Sequence, residues 1–208
     1  MKSNPHICVA FNSGSGGDFL VSVLTQNAIK IDNQGMVLNP PGNAFKKACE
    51  HFFLSKFKAE SFSNIEIDPI VNTHHCYQEI IDLFPDCEFY FIDDGNYIKT
   101  TVEVYIDKRL TNETLLDWLH RTNSFDQIKK IKNVTDDQIK TIMYNDWRKC
   151  LNGWQSLGLK RIDLVEIVDR EKCRNLVESM LQSDINLEQF KSVHDLWTSK
   201  NKKLINIL

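Results

Sequence analysis

The sequence predicts an α/β fold, a three-layer sandwich with a central, mainly parallel sheet flanked by helices. Three observations carry that expectation. Short apolar runs of strand type alternate with longer segments of helical periodicity, the order that parallel sheets with crossover helices require. The run Cys87-Glu88-Phe89-Tyr90-Phe91-Ile92 is nearly continuous in apolar residues, as in a strand covered on both faces. The first apolar run, 6–11, breaks into the small turn Ser13-Gly14-Ser15-Gly16-Gly17-Asp18 and then into the helix-like Phe19-Leu20-Val21-Ser22-Val23-Leu24. Glycines let such a turn curl with its N–H groups inward, and the following helix adds a partial positive charge, so the segment is a candidate anion site.

Strands are expected at 6–11, 66–72, 87–92 and 161–168, with Pro69 arguing against a central position for part of the second. The clearest helices are three. In 43–58, Phe45, Cys49, Phe52, Phe53 and Phe57 recur at helical spacing. In 136–157 the stripe runs from Ile139 through Met143, Trp147, Leu151 and Trp154, and Gly158 offers a stop. In 187–208, Leu187, Phe190, Val193, Trp197, Leu204 and Ile205 share a face. Shorter helices are expected at 17–29, 75–84, 96–109, 112–121 and 171–182. No repeat, linker or low-complexity tract interrupts the chain, so 1–208 reads as one domain, mainly helical from about 170.

Composition excludes some classes of function. Hydrophobic residues at 42% and charged residues at 25% are the balance of a globular domain. A net charge of −3 provides no long-range attraction to nucleic acid or an anionic membrane. Lys129, Lys130 and Lys132, and again Lys200, Lys202 and Lys203, read as solvated helix faces. No apolar stretch reaches membrane-spanning length, and the polar start Met1 to Pro5 does not read as a secretory leader. Six cysteines without a C-x-x-C pair fall mostly inside apolar patterns, which suits reduced, buried thiols and a cytoplasmic setting.

In a parallel α/β fold the ligand sits at the carboxyl ends of the strands. After the first strand, Ser13, Ser15 and Ser22 are hydroxyl donors, and Asp18 is expected to cap the helix when no ligand is bound. After the second, Asn72-Thr73-His74-His75 is the densest titratable group, and a histidine there can take a proton from a hydroxyl nucleophile. Neighbouring histidines rarely face one ion, so no metal is expected. After the third, Asp93 and Asp94 have the types to hold magnesium or to form caps and Asx turns, and capping is the preferred role. Lys99, Thr100 and Thr101, on the first turns of the next helix, are candidates to reach a phosphate, while Lys108 and Arg109, two turns on, read as solvated.

Taken together these segments resemble the sulfotransferase family, a branch of the P-loop fold. Its members carry a first turn of the type Pro-Lys/Arg-Ser-Gly-Thr-Thr-Phe/Trp-Leu that holds the donor's 5′-phosphosulfate, and Ser13-Gly14-Ser15-Gly16-Gly17-Asp18-Phe19-Leu20 looks like it. A strand ending in Lys-Thr-His follows, matched by Asn72-Thr73-His74-His75. A Phe-Pro turn then leads into a strand ending in Arg-Asp-Pro, matched by Leu83-Phe84-Pro85 and Phe91-Ile92-Asp93-Asp94-Gly95. The Trp147 helix and the strand around Asp163 to Val168 are similar to the closing half, so the likeness runs over most of 6–170. Two departures stand out: Gly14 replaces the basic residue of the first turn, and Asp93 replaces the arginine that binds the 3′-phosphate.

The resemblance implies 3′-phosphoadenosine 5′-phosphosulfate as donor and a small-molecule or glycan-type acceptor with a hydroxyl or amine. It makes His74, with His75 beside it, the base. Residues 13–19 (Ser13, Gly14, Ser15, Gly16, Gly17, Asp18, Phe19), with Lys99, Thr100 and Thr101, would bind the cofactor, and Lys99 or Lys108 would replace the missing cations. Alternatives are a nucleotide-dependent small-molecule kinase, disfavoured by the absent Lys-Ser/Thr pair of the Walker turn, and a catalytically silent binding or assembly protein that keeps the fold. Exposed tryptophans among Trp118, Trp147, Trp154 and Trp197 would serve that last role.

Overall fold

The structure, a computed structural model, describes residues 5–25, 29–54, 59–63, 65–109 and 135–208. The expected helix 112–121 and Trp118 lie outside these residues. Strands are β1 (Ile7–Ala10), β2 (Ile70–Thr73), β3 (Glu88–Asp93) and β4 (Lys160–Asp163). Helices are α1 (Gly17–Leu24), α2 (Asn43–Leu54), α3 (Gln78–Leu83), α4 (Ile98–Arg109), α5 (Asp136–Ser156), α6 (Leu164–Val168), α7 (Arg170–Leu181), α8 (Leu187–Lys200) and α9 (Lys202–Ile205). The strands form one four-stranded sheet in the order β2-β1-β3-β4, every pair parallel. The chain is therefore α/β, with a four-stranded parallel sheet flanked by helices.

The period of two along each strand splits the core into two layers. Cys8, Ala10, Val71, Phe89 and Phe91 face α2, α3 and α5. Ile7, Val9, Phe11, Ile92 and Ile162 face α1, α6, α7 and α8. Three tryptophans of the helical stripes are buried, Trp147 in the first layer and Trp197 in the second, with Trp154 beside Phe91, so none presents an interface. Trp197 stacks on Phe19 with ring centroids 4.3 Å apart and a 10° interplanar angle.

Three boundaries differ from expectation, each for a local reason. The run 161–168 is a strand only to Asp163. There the Asp163 carboxylate accepts the Val165 N–H and Glu166 accepts the Asp163 N–H, a capping box that turns 164–168 into α6. Residues 66–69 stay outside β2, and Pro69 uses its carbonyl to receive the N–H groups of His6 and Ile7. The last helix breaks at Asn201, whose Nδ2 donates to Trp197 O at 2.8 Å and draws the residue out of helical geometry. The helix expected over 17–29 is described as far as Leu24.

Order β2-β1-β3-β4 sends the connection after β1 to one side of the sheet and that after β3 to the other. The crevice this opens lies above the carboxyl end of β1, where such sheets take their ligands. Trp197 closes the core beneath it. Trp197→Ala should cost about 3–5 kcal/mol of stability in urea unfolding; a loss under 1 kcal/mol would show that the Phe19 stack is dispensable.

Candidate active site

The turn after β1 is shaped by what its glycines leave out. Gly14 and Gly16 have φ of +91° and +82°, a region L side chains rarely adopt. A Cβ on Gly14 would collide with the Thr101 carbonyl of α4, one on Gly16 would lie 2.9 Å from the Trp197 ring, and one on Gly17 would overlap Phe11. A basic side chain therefore has no room at Gly14. Ser15 is buried, and its Oγ donates to Asn12 O at 2.7 Å.

A short network holds this turn from below. Asn12 Nδ2 donates to Asp94 Oδ1 at 3.0 Å, and Thr101 Oγ1 donates to Asp94 Oδ2 at 2.7 Å. All three side chains are buried, so hydrogen bonds shielded from water tie the carboxyl ends of β1 and β3 to the first turns of α4. Burial pushes the Asp94 carboxyl up to about 6, against the hydrogen bonds from Thr101 and Asn12 that favour its charged form.

Above the turn, α1 begins at Gly17, and its first helical bond is Leu20 N–H to Gly16 O at 2.9 Å. The N–H groups of Gly17, Asp18 and Phe19 have no intrahelical acceptor. They open on a cleft of about 290 Å³ walled by the glycine turn, residues 35–40, Lys46, His74, Tyr105, Lys108 and Trp197. Two cations thus reach the cleft from elements far away in sequence, Lys46 from α2 and Lys108 from the end of α4. Lys46 Nζ lies 3.2 Å from Asp18 Oδ1 and 5.6 Å from the Phe11 ring centroid. Lys108 Nζ donates to Gly35 O at 3.4 Å, pinning the 31–37 loop to the rim.

His74 enters from the end of β2. Its Nδ1–H donates to the Phe11 carbonyl at 2.8 Å, since a carbonyl only accepts, and this leaves the Nε2 lone pair for chemistry. Burial, assisted by Lys46, lowers the ring's pKa to about 4, so it is neutral at physiological pH. The Phe11 ring holds it edge-on at 4.6 Å.

The expected site residues separate into two groups. Ser13, Gly14, Gly16, Gly17, Asp18, Phe19, His74 and Lys108 meet in the cleft. Ser15 and Ser22 turn their hydroxyls onto backbone carbonyls, Thr101 is committed to Asp94, and Lys99 is exposed away from the cleft, with Thr100 next to it. His75 is turned toward Tyr77, whose hydroxyl lies 3.4 Å from its Nδ1. Asp18 does not cap α1. Its carboxylate receives Lys46 and the Asn72 Nδ2, the latter at 2.9 Å, and the left-handed Gly16 takes the cap position. The preferred capping role of Asp93 and Asp94 does not hold, since α4 begins at Ile98: Asp94 accepts from Asn12 and Thr101, and Asp93 forms an Asx turn, accepting the Gly95 N–H at 2.9 Å, and pairs with Arg161 at 2.7 Å. Lys46 escaped the sequence reading. Its only signal was a pair of adjacent lysines, Lys46 and Lys47, between the apolar positions of a helix, and nothing local says that Lys46 faces β1.

The fold and cleft define an α/β protein with a helix N-terminus open to a cleft beside a neutral histidine. No family model, curated protein or solved structure matches the chain. Among the described residues no group of three or more His, Cys, Asp or Glu forms a metal cluster, and no helix is long and apolar enough to cross a membrane.

The two perturbed groups oppose each other in pH dependence. Asp94 rises from 3.8 to about 6 on folding, so its contribution is present below pH 3.8 and lost as pH rises through 6. His74 falls from 6.5 to about 4, so its contribution is present above pH 6.5 and lost as pH falls through 4. Each shift of about two units corresponds to about 3 kcal/mol, and together they nearly cancel between pH 4 and 6. Asp94→Asn should make stability fall as pH drops from 6.5 to 4, and His74→Gln should make it rise, read as urea midpoints. Equal slopes in the two variants would contradict this pairing.

Proposed function

We propose that the protein is a group-transfer enzyme of the sulfotransferase type, which moves a sulfuryl group from a nucleotide donor to an acceptor hydroxyl or amine. The observation that carries the reading is the meeting, in one cleft, of a free helix N-terminus, two lysines and a neutral histidine with Nε2 unengaged. A donor such as 3′-phosphoadenosine 5′-phosphosulfate supplies an activated sulfuryl group. The residues suit its anionic head: Gly17, Asp18 and Phe19 offer N–H groups, and Lys46 and Lys108 offer the positive charge that Gly14 cannot. They suit a 3′-phosphate less well at the end of β3, where Asp93 is held by Arg161 and Lys99 is exposed and not among the residues that wall the cleft.

In this reading His74 Nε2 takes the acceptor's proton, while the Nδ1–H bond to Phe11 O fixes the tautomer and ring. Lys46 and Lys108 take the negative charge that builds on the leaving side, as preorganised electrostatic catalysis requires. Asp18 orients Lys46 through their 3.2 Å contact. The kinase alternative has less support, because Asp94 is consumed by Asn12 and Thr101 and the Walker lysine is absent.

The donor at 100 times its dissociation constant should stabilise the chain by about 2.7 kcal/mol, visible in thermal unfolding, and Lys46→Ala should remove most of that gain. His74→Ala should keep the shift and lower turnover by about 10²- to 10⁴-fold. A shift unaffected by Lys46→Ala, or turnover unaffected by His74→Ala, would overturn the assignment. Because His74 stays neutral down to about pH 4, the acid limb of kcat/KM should lie well below the pH 6.5 of a free histidine.

A further inference from the structure

We infer that His74 is the nucleophile of a two-step transfer, in which its Nε2 carries the sulfuryl group covalently from donor to acceptor. The inference rests on the group-transfer reading above and specifies how the group moves. Three features of the geometry favour it. The ring is fixed as one tautomer, with Nδ1–H on the Phe11 carbonyl at 2.8 Å and the Phe11 ring edge-on at 4.6 Å, so Nε2 is the free atom of a rigid side chain. The partner of Nδ1 is a neutral carbonyl and not the carboxylate that steadies a histidine base as it becomes a cation. The cleft is about 290 Å³, the lower end of small-molecule sites, so it accommodates one head group at a time. Direct transfer needs donor and acceptor there together, whereas two displacements on His74 let them follow one another.

The electrostatics suit a nucleophile better than a base. Burial lowers the ring's pKa to about 4, with Lys46 and His75 acting in the same direction and the Phe11 carbonyl and Asp18 against it. So weak a base has little drive to take a proton from a hydroxyl at neutral pH, while Nε2 stays unprotonated and able to attack. In the first step the Nε2 lone pair bonds to sulfur, the bond from sulfur to the donor's bridging oxygen breaks, and its electron pair leaves on the nucleotide phosphate. Lys46 and Lys108, on the cleft walls, receive that charge. The N–H groups of Gly17, Asp18 and Phe19 are available to the sulfuryl oxygens throughout. In the second step the acceptor's oxygen or nitrogen bonds to sulfur, the Nε2–S bond breaks, and its electron pair returns to the ring. The acceptor's proton passes to Nε2 and from there to water, so it reaches the same atom as in direct transfer.

The full chain, incubated with 3′-phosphoadenosine 5′-phosphosulfate and no acceptor, quenched in alkali and read by mass spectrometry, tests this. A single sulfuryl group should appear on His74, and mild acid should remove it, because protonation makes the ring a better leaving group. Labelled adenosine 3′,5′-bisphosphate should exchange into the donor under the same conditions, which direct transfer cannot achieve without an acceptor. His74→Gln should lose both label and exchange while keeping the donor's thermal shift, the sign that it is folded and binds. His75→Ala should retain both, since His75 is turned toward Tyr77. A wild-type chain with the thermal shift but neither label nor exchange would overturn the inference and leave direct transfer standing. Label on Ser13, Tyr105 or a lysine of the cleft would overturn it as well. No shift and no label would remove both readings.

Discussion

The turn between β1 and α1 exists because three glycines leave space that other elements occupy. The Thr101 carbonyl fills the place of a side chain at Gly14, the Trp197 ring that at Gly16, and the Phe11 ring that at Gly17. Each neighbour comes from a different part of the chain, so the turn is the point where α4, α8 and the end of β1 are brought into register. The backbone conformation at Gly14 and Gly16 costs an L residue energy at any temperature, and the steric exclusion adds to it. The same closeness leaves no turn side chain over the N–H groups of Gly17, Asp18 and Phe19 at the start of α1.

The same exclusion decides where the site's charge comes from. With no side chain possible at Gly14, positive charge must reach the cleft from outside the turn, and long flexible lysines on α2 and α4 do so. Asp18 then acquires a purpose that its position in the chain hides. It lies in the first turn of α1, where a carboxylate ordinarily caps, yet the left-handed Gly16 takes the cap position and its side chain is released to Lys46 and Asn72. Below the turn, Asp94 keeps a carboxyl in a fully buried place, which is tolerable because both oxygens receive hydrogen bonds. Above it, His74 is kept neutral by burial and by a nearby lysine. Two titratable groups are thus displaced in opposite directions within one site, an arrangement that concentrates where chemistry is done.

Much of this was legible from the residues alone. The apolar runs at Ile7, Val71 and Phe89 are strands because each is short and buried on both faces, and the helical stripes of Trp147 and Trp197 are core. The strand–glycine turn–helix order and the histidines after Asn72 located two walls of the cleft, because both follow from local chemistry: glycine's conformational freedom and the position of a strand's end. Lys46, the release of Asp18 and the pairing of Asp93 with Arg161 were not legible. Each depends on which side of a helix or strand meets which neighbour across tens of residues. Strand order β2-β1-β3-β4, the Phe11–His74 contact and the packing of Trp197 on Gly16 decide those meetings. The sequence by itself determined the α/β class and the local geometry of the glycine turn, because periodicity and glycine content act over a few residues. The tertiary structure decided which charges surround the turn, because electrostatic partners are chosen by distance in space, and that distance is set only when the sheet has closed around β1.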